Sequence, residues 1–176
     1  MTKNEWVILA IIAAWMLITR GFHFMDGSVI IFMVAAVFIR TQKVFWFLTA
    51  LAMAIDVVVI GTQFGYDSLI KYCVGSVAYY FLIPAFAAMW WMGKVYVSNF
   101  SGRYIPFIVL ALAGTFMYET VAAGSYYVLS GDFENPNWAD WWANEPKYML
   151  ARLQMSLYYS ISLVAIHIGY KKYVIN

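Results

Sequence analysis

Six apolar runs, at residues 5–19, 28–39, 44–60, 73–93, 104–129 and 148–170, occupy most of a 176-residue chain and leave little from which to build anything else. A helix that crosses the hydrocarbon core needs about 20 mainly apolar residues. Inside a bilayer the backbone must satisfy its own hydrogen bonds, so runs of this kind become helices. The composition agrees: 64% hydrophobic and 11% charged residues lie far from the roughly 45–50% and 25% of soluble domains. The expectation is an all-α integral membrane protein of six transmembrane helices, forming one transmembrane domain over residues 1–176. The second run is short and the third marginal; both are read as spans, the second borrowing Phe24 and Met25. The first run, "WVILAIIAAWMLI", is followed by "TRGFHF" rather than a small-x-small cleavage site, and is read as a retained helix.

A net charge of +2 gives no reason to expect nucleic acid, and one cysteine excludes an internal disulfide. With an inside N-terminus, Lys3, Arg40, Lys43, Lys94, Arg103, Lys171 and Lys172 fall on the inner side, and Arg20, Lys71, Lys147 and Arg152 on the outer side. That bias places both termini in the cytoplasm. The outer connections "TRGFHFMDG", "GTQFGYDSLIKY" and "SGDFENPNWADWWANEPK" then mix aromatic with polar residues, whereas the inner ones are short and plain. In the third, Asn135 before Pro136 suits a helix start and Pro146 limits its end. Trp138, Trp141 and Trp142 would share one face of that helix, either as an interfacial belt or as a lid over an outward-facing pocket.

Ionisable residues inside a membrane are costly and therefore informative. Asp56, Arg152 and Cys73 fall at similar depth in the outer half, and Asp56 with Arg152 reads either as a structural ion pair or as polar walls of a cavity. Glu119 and His167 have no evident partner at their depths and read as structural. Cys73, in "IKYCVGSVAYYFLIPAF", reads either as a small buried hydrophobe or as a reactive thiolate. The second reading rests on a helix N-terminus at Cys73, the charge of Lys71 and a solvent-facing mouth. One cysteine without a His/Cys cluster cannot build a closed zinc site, so its best metal chemistry is a single axial bond to a metal held by its own macrocycle. His23 is the competing ligand, or simply polar surface.

Three stretches, "TRGFHF…DGSVIIFMVAAVFIR", "AIDVVVIG…YCVGSVAYYFLIPAFAAMWWMGKVY" and "YYVLSGDF…W…KYMLARLQMSLYYSISLVAIHI", resemble the BtuM family of cobalamin transporters, relatives of the S-components of energy-coupling-factor transporters. The resemblance spans about residues 19–168 and is sharpest around Tyr72-Cys73 and from Phe81 to Tyr96. It implies an S-component-like six-helix fold with both termini cytoplasmic, in the bacterial inner membrane, binding cobalamin near the outer face. Cys73 matches the cysteine that serves as axial ligand of cobalt, Asp56 the acidic residue of the third helix and Arg152 the arginine opening the sixth. Tyr79 and Tyr80 are both candidates for a tyrosine that follows the cysteine. Phe133 and Trp138 would cover the apolar surface of the corrin.

A carrier of this kind is a transporter and not an enzyme, although a thiolate on cobalt could displace cyanide from incoming cobalamin. Ala10 and Ala14 have the spacing by which S-components dock on a shared ATPase module, but bulky Ile11 and Trp15 beside them favour ordinary helix packing. No P-loop occurs, so any energy-coupling ATPase would be another chain. Two other readings remain: an S-component for a different vitamin, and a non-transporting membrane interaction subunit whose tryptophan loop binds a partner protein.

Overall fold

The structure, a computed structural model, describes residues 1–21 and 27–174. Phe24, Met25 and His23 lie outside the described residues, so the roles expected of them are not placed. Every regular element among the described residues is helical. Five helical stretches are long and apolar enough to cross a membrane: Lys3–Gly21, Gln42–Phe64, Val77–Asn99, Tyr104–Leu129 and Pro146–Gly169. We label the helices α1 (Lys3–Gly21), α2 (Ser28–Phe38), α3 (Gln42–Phe64), α4 (Tyr66–Leu69), α5 (Val77–Tyr80), α6 (Leu82–Asn99), α7 (Tyr104–Leu129), α8 (Trp138–Asn144) and α9 (Pro146–Val174). A π turn, Ile70–Val74, joins α4 to α5.

One length exceeds the expectation and one keeps to it. The third run, marginal by apolar residues alone, becomes the 23-residue α3 because polar Gln42, Lys43 and Thr62 join its ends. The second stays short: α2 has 11 residues, about 16 Å at 1.5 Å per residue. Its length matches a core helix better than an independent span. Every residue from Val29 to Ala36 is buried, and α2 packs against α1, α3, α6, α7 and α9. It is the axle of the bundle. Arg20, at the end of α1, meets Asp56 in the second half of α3, so α2 must carry the chain back through the bundle between them.

The centre is packed by aromatic contact. Phe32 of α2 stacks on Phe86 of α6, with centroids 4.2 Å apart and planes at 14°. Phe45 of α3 meets Phe32 edge-on at 5.8 Å, and Trp90 packs edge-on against Phe45 at 5.7 Å. Offset and edge-on arrangements of this kind contribute about 0.5–1.5 kcal/mol each beyond burial. Further along α6, a Cβ added at Gly93 would lie 2.6 Å from the Met33 carbonyl oxygen and 2.7 Å from the Ala36 Cβ. Only glycine permits so close a crossing of α2 and α6. The bundle is closed on its other side by α7 and α9, where the Thr115 hydroxyl donates to Ser156 Oγ at 2.8 Å in a buried pair.

The expected packing role of Ala10 and Ala14 is not realised in this chain. The buried face of α1 carries Leu9, Ile12, Met16 and Thr19; Ala10 and Ala14 are exposed on the other side. The start of α8 also differs. Asn135 adopts φ 49° within the loop, and Asn137 is the N-cap, its side chain accepting from the Asp140 N–H at 3.0 Å. Asn137 displaces Asn135 because the chain must still turn through Pro136 before a helix can begin. Pro146 opens α9, where its missing N–H costs nothing.

Candidate functional site

The end of the bundle that carries residues 61–76 and 130–146 holds most of the residues singled out from the sequence. At its centre lies a polar line. Arg20 makes a bidentate pair with Asp56, Nε to Oδ1 and Nη2 to Oδ2, both at 2.6 Å. Tyr79 Oη donates to Asp56 Oδ2 at 3.1 Å and lies near enough to the Cys73 thiol to influence it. Guanidinium, carboxylate and phenol are hydrogen-bonded in one line from α1, α3 and α5, and the thiol of the π turn stands at its end. Both charged side chains are nearly covered, at 12% and 15% exposure. In such surroundings a fork-shaped guanidinium satisfies a carboxylate better than an ammonium would.

The thiol departs from expectation in three ways. Cys73 is not at a helix start: it is the fourth residue of the five-residue π turn, so no helix N-terminus favours its ionisation. Lys71 does not serve it, because that ammonium pairs with Asp132 Oδ1 at 2.6 Å. The sulfur does not face solvent, since Cys73 is 2% exposed. Burial pushes its pKa up, the Asp56 carboxylate pushes it further, and the neighbouring Tyr79 hydroxyl opposes both. In this closed arrangement Cys73 is held as a neutral thiol.

The expected pairing of Asp56 with Arg152 is replaced by two others. Arg20 takes Asp56, and Arg152 Nε lies 3.3 Å from Glu119 Oε1, joining α9 to α7. Glu119, read as lacking a partner, has one. The reason is position around each helix. Arg152 lies on the part of α9 that faces α7, while Arg20 ends the helix that packs along α3. Glu145, at the junction of α8 and α9, is also buried. Burial raises its carboxyl pKa, and the nearby Arg152 charge offsets part of the rise.

Tyr79 and Tyr80 separate into two roles. Tyr79 enters the polar line; Tyr80 is half-exposed, its Oη reaching the Val74 carbonyl at 3.4 Å. Above the line, Lys71 and Asp132 clip the 61–76 segment to the 130–137 loop, and Tyr126 Oη donates to the other oxygen of Asp132 at 2.7 Å. The clip holds the Lys71 ammonium up to about 12 and depresses the Asp132 carboxyl. Next to it Phe133 packs on Tyr127, with ring centroids 4.5 Å apart. The tryptophans do not act alike. Trp141 is buried, while Trp138 and Trp142 are half-exposed. Trp138 lies over Gly124 of α7, where an added Cβ would come within 2.8 Å of its ring. Trp142 stacks on Phe116 of α7 at 26° and 6.0 Å.

The structure thus unites Cys73, Asp56 and Tyr79, sets Phe133 beside the clip, and leaves Arg152 and Tyr80 out of the polar line. Sequence reasoning missed Arg20, which entered only as a loop charge. Its signal was its place at the end of the first apolar run, level with Asp56 near the end of the third. Asp56, Arg20 and Tyr79 offer hydrogen-bonding groups, and Cys73 offers one soft sulfur that this arrangement keeps covered. Fold and site define the class, an all-helical multi-pass membrane protein with a polar line at one end of its bundle. Comparison with family models found no match, and comparison with curated proteins found none.

Proposed function

We propose that the protein is an uptake carrier of the bacterial cytoplasmic membrane that binds cobalamin at the Cys73 end of its bundle. The observation that carries this reading is the line Arg20–Asp56–Tyr79–Cys73, a cluster of polar groups ending in one soft ligand atom within a membrane protein. Such clusters are expensive in a bilayer and mark ligand paths by default. The choice of cobalamin rests on the resemblance of residues 19–168 to the BtuM family, in which Cys73 and Asp56 match functional positions. On this reading α2 counts as a sixth, buried crossing, the fold is S-component-like, and the cation bias puts both termini in the cytoplasm and the Cys73 end in the periplasm.

On this reading the covered sulfur belongs to the carrier before its ligand enters. Binding begins with separation of Lys71 from Asp132, an exposed pair whose loss costs little. The two aromatic loops then part, and Phe133 and Trp138 meet the apolar faces of the corrin. Asp56, Arg20 and Tyr79 hydrogen-bond its peripheral amides. The Cys73 thiol gives its proton to solvent and binds cobalt as thiolate, while the axial ligand that it replaces leaves the metal. Where that ligand is cyanide, it departs with its electron pair. The chain acts as a solitary carrier. Ala10 and Ala14 belong to an outward face shared with exposed Ile11, Leu17 and Ile18, a surface suited to lipid.

Purification of the full chain from cells supplied with cobalamin tests the reading. Bound corrin, near one per chain by visible absorbance, is expected. Colourless protein that also fails to bind added cobalamin in calorimetry contradicts it, and a protein partner co-purifying with such colourless protein would favour the interaction-subunit reading instead, to which exposed Trp138 and Trp142 lend themselves.

A further inference from the structure

The opposite end of the bundle, where α2 and α6 finish and α7 begins, holds a half-open cavity of about 280 Å³. Val34, Phe107, Leu163 and Val164 make its walls apolar, and Tyr104 and His167 supply polar groups at its lining. The Tyr104 and His167 rings meet edge-on at 6.0 Å. One edge is fixed: Tyr96 Oη accepts from the Gly102 N–H at 3.2 Å and holds the turn that leads into α7. The volume falls just below the roughly 300–1,000 Å³ of sites for drug-sized ligands. It suits one slender apolar chain rather than a broad ring.

The charge around this cavity has one sign. Arg103 sits between the lining residues Gly102 and Tyr104, and Arg40 lies two residues beyond the lining residue Phe38. Both are exposed, and neither has a carboxylate partner among the described residues. Lys43 and Lys94 lie at the same end, Lys94 bound to neutral Gln42 at 3.3 Å. Among the described residues, Glu5 is the one acidic side chain at that end, and it is occupied by the Thr2 N–H at 2.7 Å. An apolar slot between helices, flanked by exposed arginines next to its lining residues, has the chemistry of an anionic lipid site: acyl chain inside, phosphate outside.

We propose that this cavity is a binding site for an anionic phospholipid of the adjoining leaflet, with one acyl chain among Val34, Phe107, Leu163 and Val164 and its phosphate held by Arg103 and Arg40. The site is separate from the Cys73 end and does not depend on what binds there.

Native mass spectrometry of the full chain in detergent, titrated with phosphatidylglycerol or with phosphatidylcholine of the same acyl chains, tests the proposal. One phosphatidylglycerol should bind per chain, in preference to phosphatidylcholine. Arg103→Gln should weaken phosphatidylglycerol by about fivefold, the scale of one basic residue at an anionic surface, and leave phosphatidylcholine unchanged. Val164→Trp, which fills the slot, should abolish the preferred site. Equal binding of the two lipids, or full selectivity in Arg103→Gln, would overturn the proposal. Inorganic phosphate competing as well as the lipid would also overturn it, because the site would then serve a soluble anion. Should Val164→Trp fail to fold, the Arg103→Gln comparison decides alone.

Discussion

The two ends of the bundle treat charge in opposite ways. At the Cys73 end carboxylates and cations pair with each other: Arg20 with Asp56 in a nearly covered site, Arg152 with a buried Glu119, and Lys71 with Asp132 at the surface. At the other end Arg40, Lys43 and Arg103 stand exposed beside an apolar cavity. An ion pair taken from water is tolerated only when its partners satisfy each other, so the first end is self-sufficient while its pairs hold, and in the proposed carrier those pairs are what a ligand would replace. Among the described residues of the second end, Arg40, Lys43 and Arg103 have no carboxylate to exchange. Its charge is available to the lipid surface at once, and its rigid wall, the α2–α6 crossing at Gly93, does not have to move.

The largest way to break this contrast is Asp56→Ala, which strands Arg20 in a nearly covered site. Loss of one partner from a buried pair costs about 3–5 kcal/mol, so chemical denaturation in detergent should show a severe loss of stability, while Arg103→Gln at the other end should show almost none. Equal effects would mean that the two ends do not differ as described. Gly93→Leu comes next. Its side chain has no room beside the Met33 carbonyl and Ala36, and overpacking of this kind costs about 1–3 kcal/mol; an unchanged melting temperature would show that the crossing is softer than its geometry.

A smaller effect is expected at the clip. Lys71→Ala should raise the rate of Cys73 labelling by a water-soluble maleimide by about two- to fivefold, as befits an exposed pair, and added salt should reproduce part of the rise. The depressed Asp132 carboxyl keeps the clip until pH falls below the ordinary carboxylate range, and the raised Lys71 ammonium keeps it until pH climbs toward about 12. Salt rather than pH therefore loosens it near neutrality. Labelling as slow in Lys71→Ala as in wild type would remove the clip from the opening step. The smallest effect is at Glu145. Its raised pKa means that the folded state favours the proton, so its contribution to stability is present below the unfolded pKa and is lost as pH rises through the folded one. Glu145→Gln should raise the melting temperature at pH 7 by up to about 2 °C and not at pH 4.

The helices were legible because apolar length is a one-dimensional property. Five runs became span-length stretches, and the shortness of α2 was visible in Ser28 to Ile39 even though its burial on all sides was not. Side-chain pairing was much less legible. Asp56 and Arg152 do lie at comparable distances from the same end, but depth along a helix says nothing about the direction in which a residue points. The rotation of α1 and α9 about their axes decided the partners. Cys73 failed for a local reason: a break at Gly65 (φ 84°) and the π turn after α4 move the helix start from Cys73 to Val77. No apolar periodicity signals such a turn. The cavity at the opposite end was hidden altogether, because its walls come from four helices distant in sequence.

The central claim is that the Cys73 sulfur reaches cobalt when the closed end opens. Its most direct test is the visible spectrum of cobalamin added to the purified wild-type chain and to Cys73→Ser. A corrin spectrum displaced by wild type and left as in free solution by Cys73→Ser is the result expected. Identical corrin spectra with the two proteins, at concentrations where both bind, would contradict it.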